Sequence, residues 1–499
     1  MRKYIVLFMT LSVFISCEKE IELDPISGIP GTGFLDNESA ARLAHTGLYA
    51  SFRGYNFSYF RLGEVRSDLY GGTTFESATD IELINQTINS TNIPFGNWGG
   101  FYTLIHRMND FLVNVPEIEF ADNSEKQQLL GQVYGLRAFI YYTMLKTWGA
   151  VPITIEPFDT TADVTTLNRA RSSKEEVMQL IKDDIQRSLT EFGTDNSFFK
   201  GKKIYWSKAA TLALKGDAFI WSGEVLNGGI ADFTEAKSAL EQVSGIGVSL
   251  EPNFMDLWDI ENENNDEFIF TLSYERDQST NFYNGVFTGR ATEINQTWDA
   301  TGTSFANEIF NGGNRYGPSE KLLLKLDDTL DSRRATFSRL YSDDLGHIPF
   351  DENNYVGAIL NKFLGVVEAG SRINVNDVPI YRHADVLLLL AEAKNNLGEN
   401  PSTEINLIRQ RAYAENYDDA VQGFVNASND ENKVAILDER LKEFVGEGKR
   451  WWDLRRAGGN YIFDEIETLL ESEAFKLQLP ISPDMIGRNS LLEQTEGWK

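Results

Sequence analysis

Asp438-Glu-Arg-Leu-Lys-Glu-Phe-Val-Gly-Glu-Gly-Lys-Arg-Trp-Trp-Asp-Leu-Arg-Arg456 is the stretch that decides the fold. Leu437, Leu441, Phe444, Gly448 and Trp451 recur at steps of four and three, which lays them along one face of a helix running through the whole stretch. Gly448 on that face would let a second helix approach closely, although a mid-helix glycine costs roughly 1 kcal/mol relative to alanine. Trp451 and Trp452 add a large apolar surface to bury. Glu443, Glu447 and Arg450 share a neighbouring face, where an acid preceding a base pairs along the helix for about 0.3 kcal/mol. The spacing describes a buried packing helix that does no chemistry itself.

Working outward, the same helical periodicity returns several times. A helix capped within Asn37–Ser39 runs to about Phe52, and another covers Phe101–Val115, stopped by Pro116. Ser124–Trp148 is longer and closes on Gly149-Ala-Val-Pro152. Ser172 and Ser173, with Glu175 and Glu176 after them, open a helix that reaches about Phe192. Ser207–Leu226 carries Ala209, Ala210, Ala213 and Ala218, small residues that permit close packing, and Phe233–Val243 is its partner. Pro379–Asn396 is apolar around its whole circumference and must be buried. Its Arg382, Asp385 and Glu392 then need partners, which Arg409 or Arg411 could supply. Glu267–Leu272 reads as a short strand among the loops before it.

Three of these segments resemble the SusD/RagB family, nutrient-binding outer-membrane lipoproteins of Bacteroidetes. In the opening stretch the family pattern is met by Glu439, Arg440, Glu443, Phe444, Glu447, Gly448, Arg450, Trp451, Trp452, Asp453, Leu454 and Arg456. Tyr381, Arg382, Ala384, Asp385, Leu387–Leu389 and Ala391-Glu-Ala393 match its Tyr-Arg-x-Ala-Asp helix, and Arg137-Ala138-Phe139 with Gly149–Pro152 matches its Arg-Ala-aromatic helix. Asp331–Arg334 resembles its Asp-x-Arg element, Asn361–Phe363 its Lys-Phe strand, and Leu479–Pro483 its C-terminal ending. The resemblance implies a mainly α fold: a tetratricopeptide-like helical-repeat scaffold with an inserted irregular, loop-rich region. On that reading residues 35–499 are one domain, with scaffold at about 35–244 and 379–499 and the insert at about 245–378.

Composition agrees with a surface protein. The 499 residues carry a formal charge of −28, which argues against nucleic acid, since a phosphate backbone needs clustered Lys and Arg. The one cysteine, Cys17, allows no disulfide within the chain. Arg2 and Lys3 precede an apolar run, Tyr4–Ile15, too short to span a bilayer but suited to a signal peptide. It ends Phe14-Ile-Ser-Cys17, which looks like a lipobox, with Phe14 where leucine is usual. Residues 1–16 are thus expected to be removed and Cys17 lipidated, with 17–34, containing Pro25, Pro30 and three glycines, as a tether. Glu18, Lys19, Glu20 and Glu22 resemble the family's surface-export signal.

Two regions break the helical pattern, 53–100 and 245–378, and both are dense in aromatics. Long loops in a helical protein are usually functional. Tyr70, Phe75 and Trp98 in the first, and Tyr283 and Trp298 in the second, are the expected ligand-stacking residues, with Arg66, Asp68, Asn97 and Arg290 as polar companions. Aromatic rings suit the apolar C–H face of a sugar, and polar neighbours suit its hydroxyls. The resemblance implies capture of oligosaccharide without turnover and its delivery to a SusC-like TonB-dependent transporter. A peptide-capturing lid and a surface glycosidase are the alternatives. No nucleophile-elbow, zincin, phosphate-loop or dinucleotide motif occurs. The four histidines are scattered, and the acidic loop Glu261–Glu267 lacks the order of ligands in a calcium loop, so no cofactor or metal is expected.

Overall fold

The computed structural model describes residues 35–71, 75, 79–89, 93–158 and 164–498. The expected signal segment 1–16, the tether 17–34 and Cys17 lie outside the described residues. The main helices come in two runs. The first holds α1 (Glu38–Arg53), α2 (Gly99–Asn114), α3 (Asn123–Trp148), α4 (Lys174–Phe192), α5 (Lys208–Val225) and α6 (Gly229–Val243). The second holds α7 (His383–Asn396), α8 (Ser402–Tyr413), α9 (Asn429–Phe444) and α10 (Arg450–Arg456). Their ends follow local chemistry. Asn37 accepts the Ala40 N–H at 3.0 Å to cap α1. Ser173 with Glu176 and Ser428 with Glu431 close capping boxes on α4 and α9. Gly149, at φ 74°, stops α3.

Neighbouring helices pack in pairs, α3 on α4 and α5 on α6, and α7 lies against α6, α8 and α9. Small residues set the closeness: a Cβ on Gly216 of α5 would stand 2.4 Å from Leu240 of α6. Arg137 of α3 binds Asp184 of α4 through two bonds of 2.7 Å and Asn109 of α2 through a third of 2.8 Å, tying three helices at a buried point. The fold is mainly α with a helical-repeat scaffold, as expected.

The strands are short: β1 (Tyr70–Gly71), β2 (Phe268–Leu272), β3 (Gly317–Pro318), β4 (Phe337–Tyr341), β5 (Tyr355–Leu360), β6 (Val366–Glu368), β7 (Ser371–Ile373) and β8 (Val378–Arg382). They form four antiparallel pairs, β1–β3, β2–β8, β4–β5 and β6–β7. In β2–β8, Leu272 lies opposite Val378 and Phe268 opposite Arg382, which brings the two runs of helices together at the root of the irregular region. The β1–β3 pair links the 53–100 region to the later one, Tyr70 opposite Pro318.

The opening stretch is two helices, not one. α9 ends at Phe444 and α10 begins at Arg450. Between them Gly446 and Gly448 take φ of 85° and 75°, a region closed to most side chains. Gly448 is therefore a turn residue and not part of a helix, and the close approach it permits is to the Asn56–Phe60 helix, where a Cβ would stand 3.1 Å from the Phe60 Cα. The expected pairing of Glu443 and Glu447 with Arg450 is also absent. Arg382 takes both acids, at 2.6 and 2.9 Å, together with Glu267 at 2.6 Å, and Arg450 goes to Asp68. Pro379–Arg382 belongs to β8, with the helix starting only at His383, and Asn361–Phe363 lies just beyond β5.

Arg409 and Arg411 do not supply the partners of all three charges on Arg382–Glu392. Asp385 is held by Arg440 at 2.9 Å and by Lys449, and Glu392 by Arg456 at 2.7 and 2.8 Å. Arg411 joins the Arg382 cluster through Glu443 and Glu267, and Arg409 binds Glu439. Burial alone would raise the Asp385 carboxyl, but Lys449 and Arg440 overcome it and hold the group down at about 2. Arg440, Glu443, Glu447, Lys449 and Arg456 of the opening stretch are thus counter-ions of α7 and its preceding strand.

Candidate functional site

The helix Asn56–Phe60 passes without a break into a π-helical turn, Arg61–Val65. Such turns are rare and occur frequently at functional sites. This one carries two charged side chains with different fates. Glu64 is fully buried and accepts the N–H groups of Gly446 and Gly448, each at 2.6 Å, and the hydroxyl of Tyr70. Burial pushes its carboxyl up to about 7, against the pull of those three donors. Arg61 is half-buried at the surface.

Around Arg61 the chain builds a patch of aromatic and charged groups. Its guanidinium lies 4.5 Å from the ring centre of Phe95 and 5.3 Å from that of Phe57. Two bonds join it to Asp80, one of them 2.6 Å from Nε, and Tyr316 donates its hydroxyl to the same carboxylate at 2.6 Å. Phe57 packs on Phe282 at 4.6 Å. Phe57, Phe95 and Phe282 are half-buried, so each keeps surface for a ligand, whereas the Asp80 side chain is only 9% exposed and Tyr316 is a buried support. Both residues that clamp Arg61 sit in the left-handed region, Asp80 at φ 57° and Phe95 at φ 58°. Asp tolerates that region, but a bulky aromatic there stores roughly 1–3 kcal/mol, the kind of strain that clusters at ligand sites.

The structure takes five of the nine expected site residues into the core. Tyr70 is buried, its hydroxyl on Glu64 and its ring 5.4 Å from Phe287. Trp98 is buried edge-on against Trp148, with Arg171 over it at 5.3 Å. Tyr283 is sandwiched between Phe282 and Phe363, at 4.1 and 4.0 Å, and donates to the Gly446 carbonyl. Arg66 lies buried 3.9 Å over Trp451. The Asp68 carboxylate is closed off by Arg450, at 3.0 and 3.2 Å, and Lys321. The surface of these side chains is spent on protein contacts, which corrects their assignment to a ligand-facing role.

The other four remain accessible, on two surfaces. Asn97 is exposed at the start of α2 and accepts the Gly99 N–H at 2.7 Å. Phe75, Arg290 and Trp298 gather around the β4–β5 pair. Phe75 covers a small apolar cluster of Ile294, Phe310, Leu340 and Ile359, and a Cβ on Gly357 of β5 would stand 3.1 Å from its ring. Arg290 is exposed, binds Glu293 at 2.9 Å and opens the short helix Ala291–Ile294. Trp298 is half-buried, its backbone exchanging bonds of 3.1 and 2.8 Å with Tyr341 at the end of β4. Sequence reading did not place Arg61, Asp80, Phe57, Phe95 or Phe282 in the site. The Phe57-x-x-x-Arg61 spacing was a usable signal, since it stacks the two on one helical face. Their meeting with Asp80, Phe95 and Phe282 needed the fold.

Among the described residues no group of three or more His, Cys, Asp or Glu side chains is arranged to hold a metal ion, and no helix is long and apolar enough to cross a membrane. The Glu261–Glu267 loop turns two of its four carboxylates inward and leaves Glu261 and Asp266 exposed: Glu267 binds Arg382, and Glu263 accepts the Asp377 N–H at 2.8 Å. The histidines stay apart. His45 is buried on Gln132, His106 accepts the Phe158 N–H, His347 lies between Asp343 and Asp351, and burial lowers His383 to about 4.

Comparison with known proteins finds matches along most of the chain. Residues 334–498 match the model of the SusD family, and residues 34–214 match a model described as starch-binding associating with outer membrane. Among solved structures, NanU of B. fragilis is 33% identical, over 96% of this chain and 100% of that one, with a TM-score of 0.85. A SusD superfamily protein from Bacteroides fragilis NCTC 9343 is 31% identical, over 93% and 100% of the two chains, also with a TM-score of 0.85. SusD-like protein P38 of Formosa agariphila is 27% identical over 494 residues, 90% of each chain.

Proposed function

The chain belongs to the SusD family, and from that premise we propose that it captures oligosaccharide at the outer membrane and passes it, unaltered, to a SusC-like TonB-dependent transporter. The observation that carries the glycan reading is the half-buried patch of Phe57, Phe95 and Phe282 around the Arg61–Asp80 pair, taken with the starch-binding description of the model that matches residues 34–214. Phe faces accept the C–H side of a pyranose ring, and a guanidinium fixed by a carboxylate donates hydrogen bonds to its hydroxyls. Asp80 accepts from both Arg61 and Tyr316, so these polar groups are oriented before a ligand arrives and little rotamer entropy is lost on binding. The Phe75–Arg290–Trp298 surface is a second place for the same chain of sugars.

The lipid anchor on Cys17 follows from the signal-like N-terminus and would hold the protein at the membrane. The same reading makes the protein a binder and not an enzyme. The test is a titration of the chain from Glu18 onward against a panel of oligosaccharides, followed by calorimetry and by analysis of the sugar afterwards. Binding with the sugar intact supports capture. Shortened products would overturn the non-enzyme reading, and binding of peptides in place of sugars would overturn the glycan reading.

A further inference from the structure

Arg66 and Arg455 differ from the other arginines beside α10. Arg450 has Asp68, and Arg456 has Glu392 and Asp453. Arg66 and Arg455 meet no carboxylate among the described residues, yet they are only 1% and 9% exposed. Arg66 spends one nitrogen on Gln86 and on the Lys476 carbonyl, at 3.1 and 2.5 Å, and its Nε is buried without a partner. The ring 3.9 Å beneath it, Trp451, also has a buried and unpartnered Nε1. Arg455 follows Trp451 by one helical turn. It lies 4.8 Å over Trp221 and makes one hydrogen bond, to the Lys146 carbonyl at the end of α3. Burial and the charge of Arg455 together press the Arg66 guanidinium well below its usual range.

Arginine does not relieve such a position by losing its proton. Carbonyls and ring faces supply dipoles but no net charge, so two buried positive charges remain to be neutralised. We propose that a small inorganic anion of the chloride class binds at Arg66 and Arg455, with the Trp451 Nε1–H as a further donor. The anion stands where a carboxylate stands for Arg450 and Arg456. It fastens the π-helical turn, which Arg66 caps, to α10 and to the end of α3.

The mature chain would be melted in chloride from about 5 mM to about 500 mM, with gluconate holding ionic strength constant. The expected result is a rise of about 1 °C per tenfold chloride above the dissociation constant, as mass action requires for a chain of this size. Arg455→Met should abolish the dependence. If that variant does not fold, Arg455→Lys, which keeps the charge but not the fork, should weaken it. Crystals soaked in bromide should show an anomalous peak in contact with both guanidiniums. A melting temperature indifferent to exchange of gluconate for chloride overturns the proposal. So does a dependence that survives in Arg455→Met, or a bromide peak elsewhere. A peak at the site without any effect on melting marks an adventitious ion only and overturns it too.

Discussion

Replacing Gly448 by alanine separates two readings of the opening stretch by sign. Were Asp438–Arg456 one helix, Gly448→Ala would stabilise the protein by roughly 1 kcal/mol, the difference between the two residues in a helix interior. In the turn, φ is 75°, which costs an alanine about 1–2 kcal/mol. The new Cβ would also lie 3.1 Å from the Cα of Phe60 and 3.1 Å from the Tyr59 ring. The ring can give way, but the Phe60 backbone belongs to the helix that runs into the Glu64 turn. Moving it disturbs the 2.6 Å bonds from Gly446 and Gly448 to Glu64. The sum is a loss of about 2–4 kcal/mol, since weakening bonds to a buried charged group adds to the strain. Urea unfolding measures it, with Gly47→Ala as the control. Gly47 lies exposed within α1 with open space around it, so alanine there should stabilise by up to about 1 kcal/mol. Equal signs for the two variants would refute the turn and with it the clamp on Glu64.

Trp98→Ala and Tyr283→Ala should each destabilise the protein by about 3–5 kcal/mol, as for large aromatics removed from a core; thermal melts would show it, and wild-type melting would return Trp98 to the list of ligand-facing residues. Arg61→Ala should weaken glycan binding about tenfold or more, a loss of about 1.4 kcal/mol or greater, at little cost in melting temperature; unchanged affinity by calorimetry would shift the site to Trp298. Arg382→Met leaves Glu267, Glu443 and Glu447 buried with fewer counter-ions and should cost about 3–5 kcal/mol; a neutral outcome in urea would mean that Arg411 and Lys362, which lies 2.7 Å from Glu447, suffice. Glu64 has its carboxyl raised from 4.5 to about 7, so the folded state binds its proton more tightly than the unfolded one. Its share of stability is then fully present below about pH 4.5 and declines as pH rises to about 7, by about 3 kcal/mol. Glu64→Gln should flatten that decline in melts between those pH values, and an unchanged slope would assign it to other groups.

The helices were legible because each is written locally. Asn37, Ser173 and Ser428 cap where their chemistry says, and Gly149 stops α3. The break after Phe444 was not legible, because the periodicity of Leu437, Leu441, Phe444, Gly448 and Trp451 runs straight through it. Only a distant carboxylate, Glu64, shows that two glycines in register are there for positive φ. The partners of Arg382 and Asp385 were hidden for the same reason. Their counter-ions come from a segment some sixty residues later, Glu443, Glu447, Arg440 and Lys449, that reads by itself as an amphipathic helix. The candidate site was the least legible part. Aromatic density marked the region but could not divide Tyr70, Trp98 and Tyr283, which are buried, from Phe57 and Phe95, which are half-exposed.

That division has a physical basis in where the polar ends go. Tyr70 and Tyr283 both aim their hydroxyls at the Glu64–Gly446 turn, Tyr70 donating to the carboxylate and Tyr283 to the Gly446 carbonyl. Their rings are drawn inward with them, because a buried hydroxyl needs a partner and the turn supplies two. Phe57 and Phe95 have no polar end to satisfy, and what holds them at the surface is a cation, Arg61, kept there by Asp80. The π-helical turn therefore sorts the aromatics of the region: its buried acid gathers the tyrosines into the core, and its half-buried base keeps the phenylalanines at the surface. Both charges lie three residues apart on one turn whose inner side is fixed by Gly446 and Gly448. Strain at Gly448 should on this account reach Arg61, so Gly448→Ala should lower glycan affinity as well as stability, whereas an equally destabilising change far from the turn, such as Leu240→Ala in the α5–α6 contact, should lower stability alone.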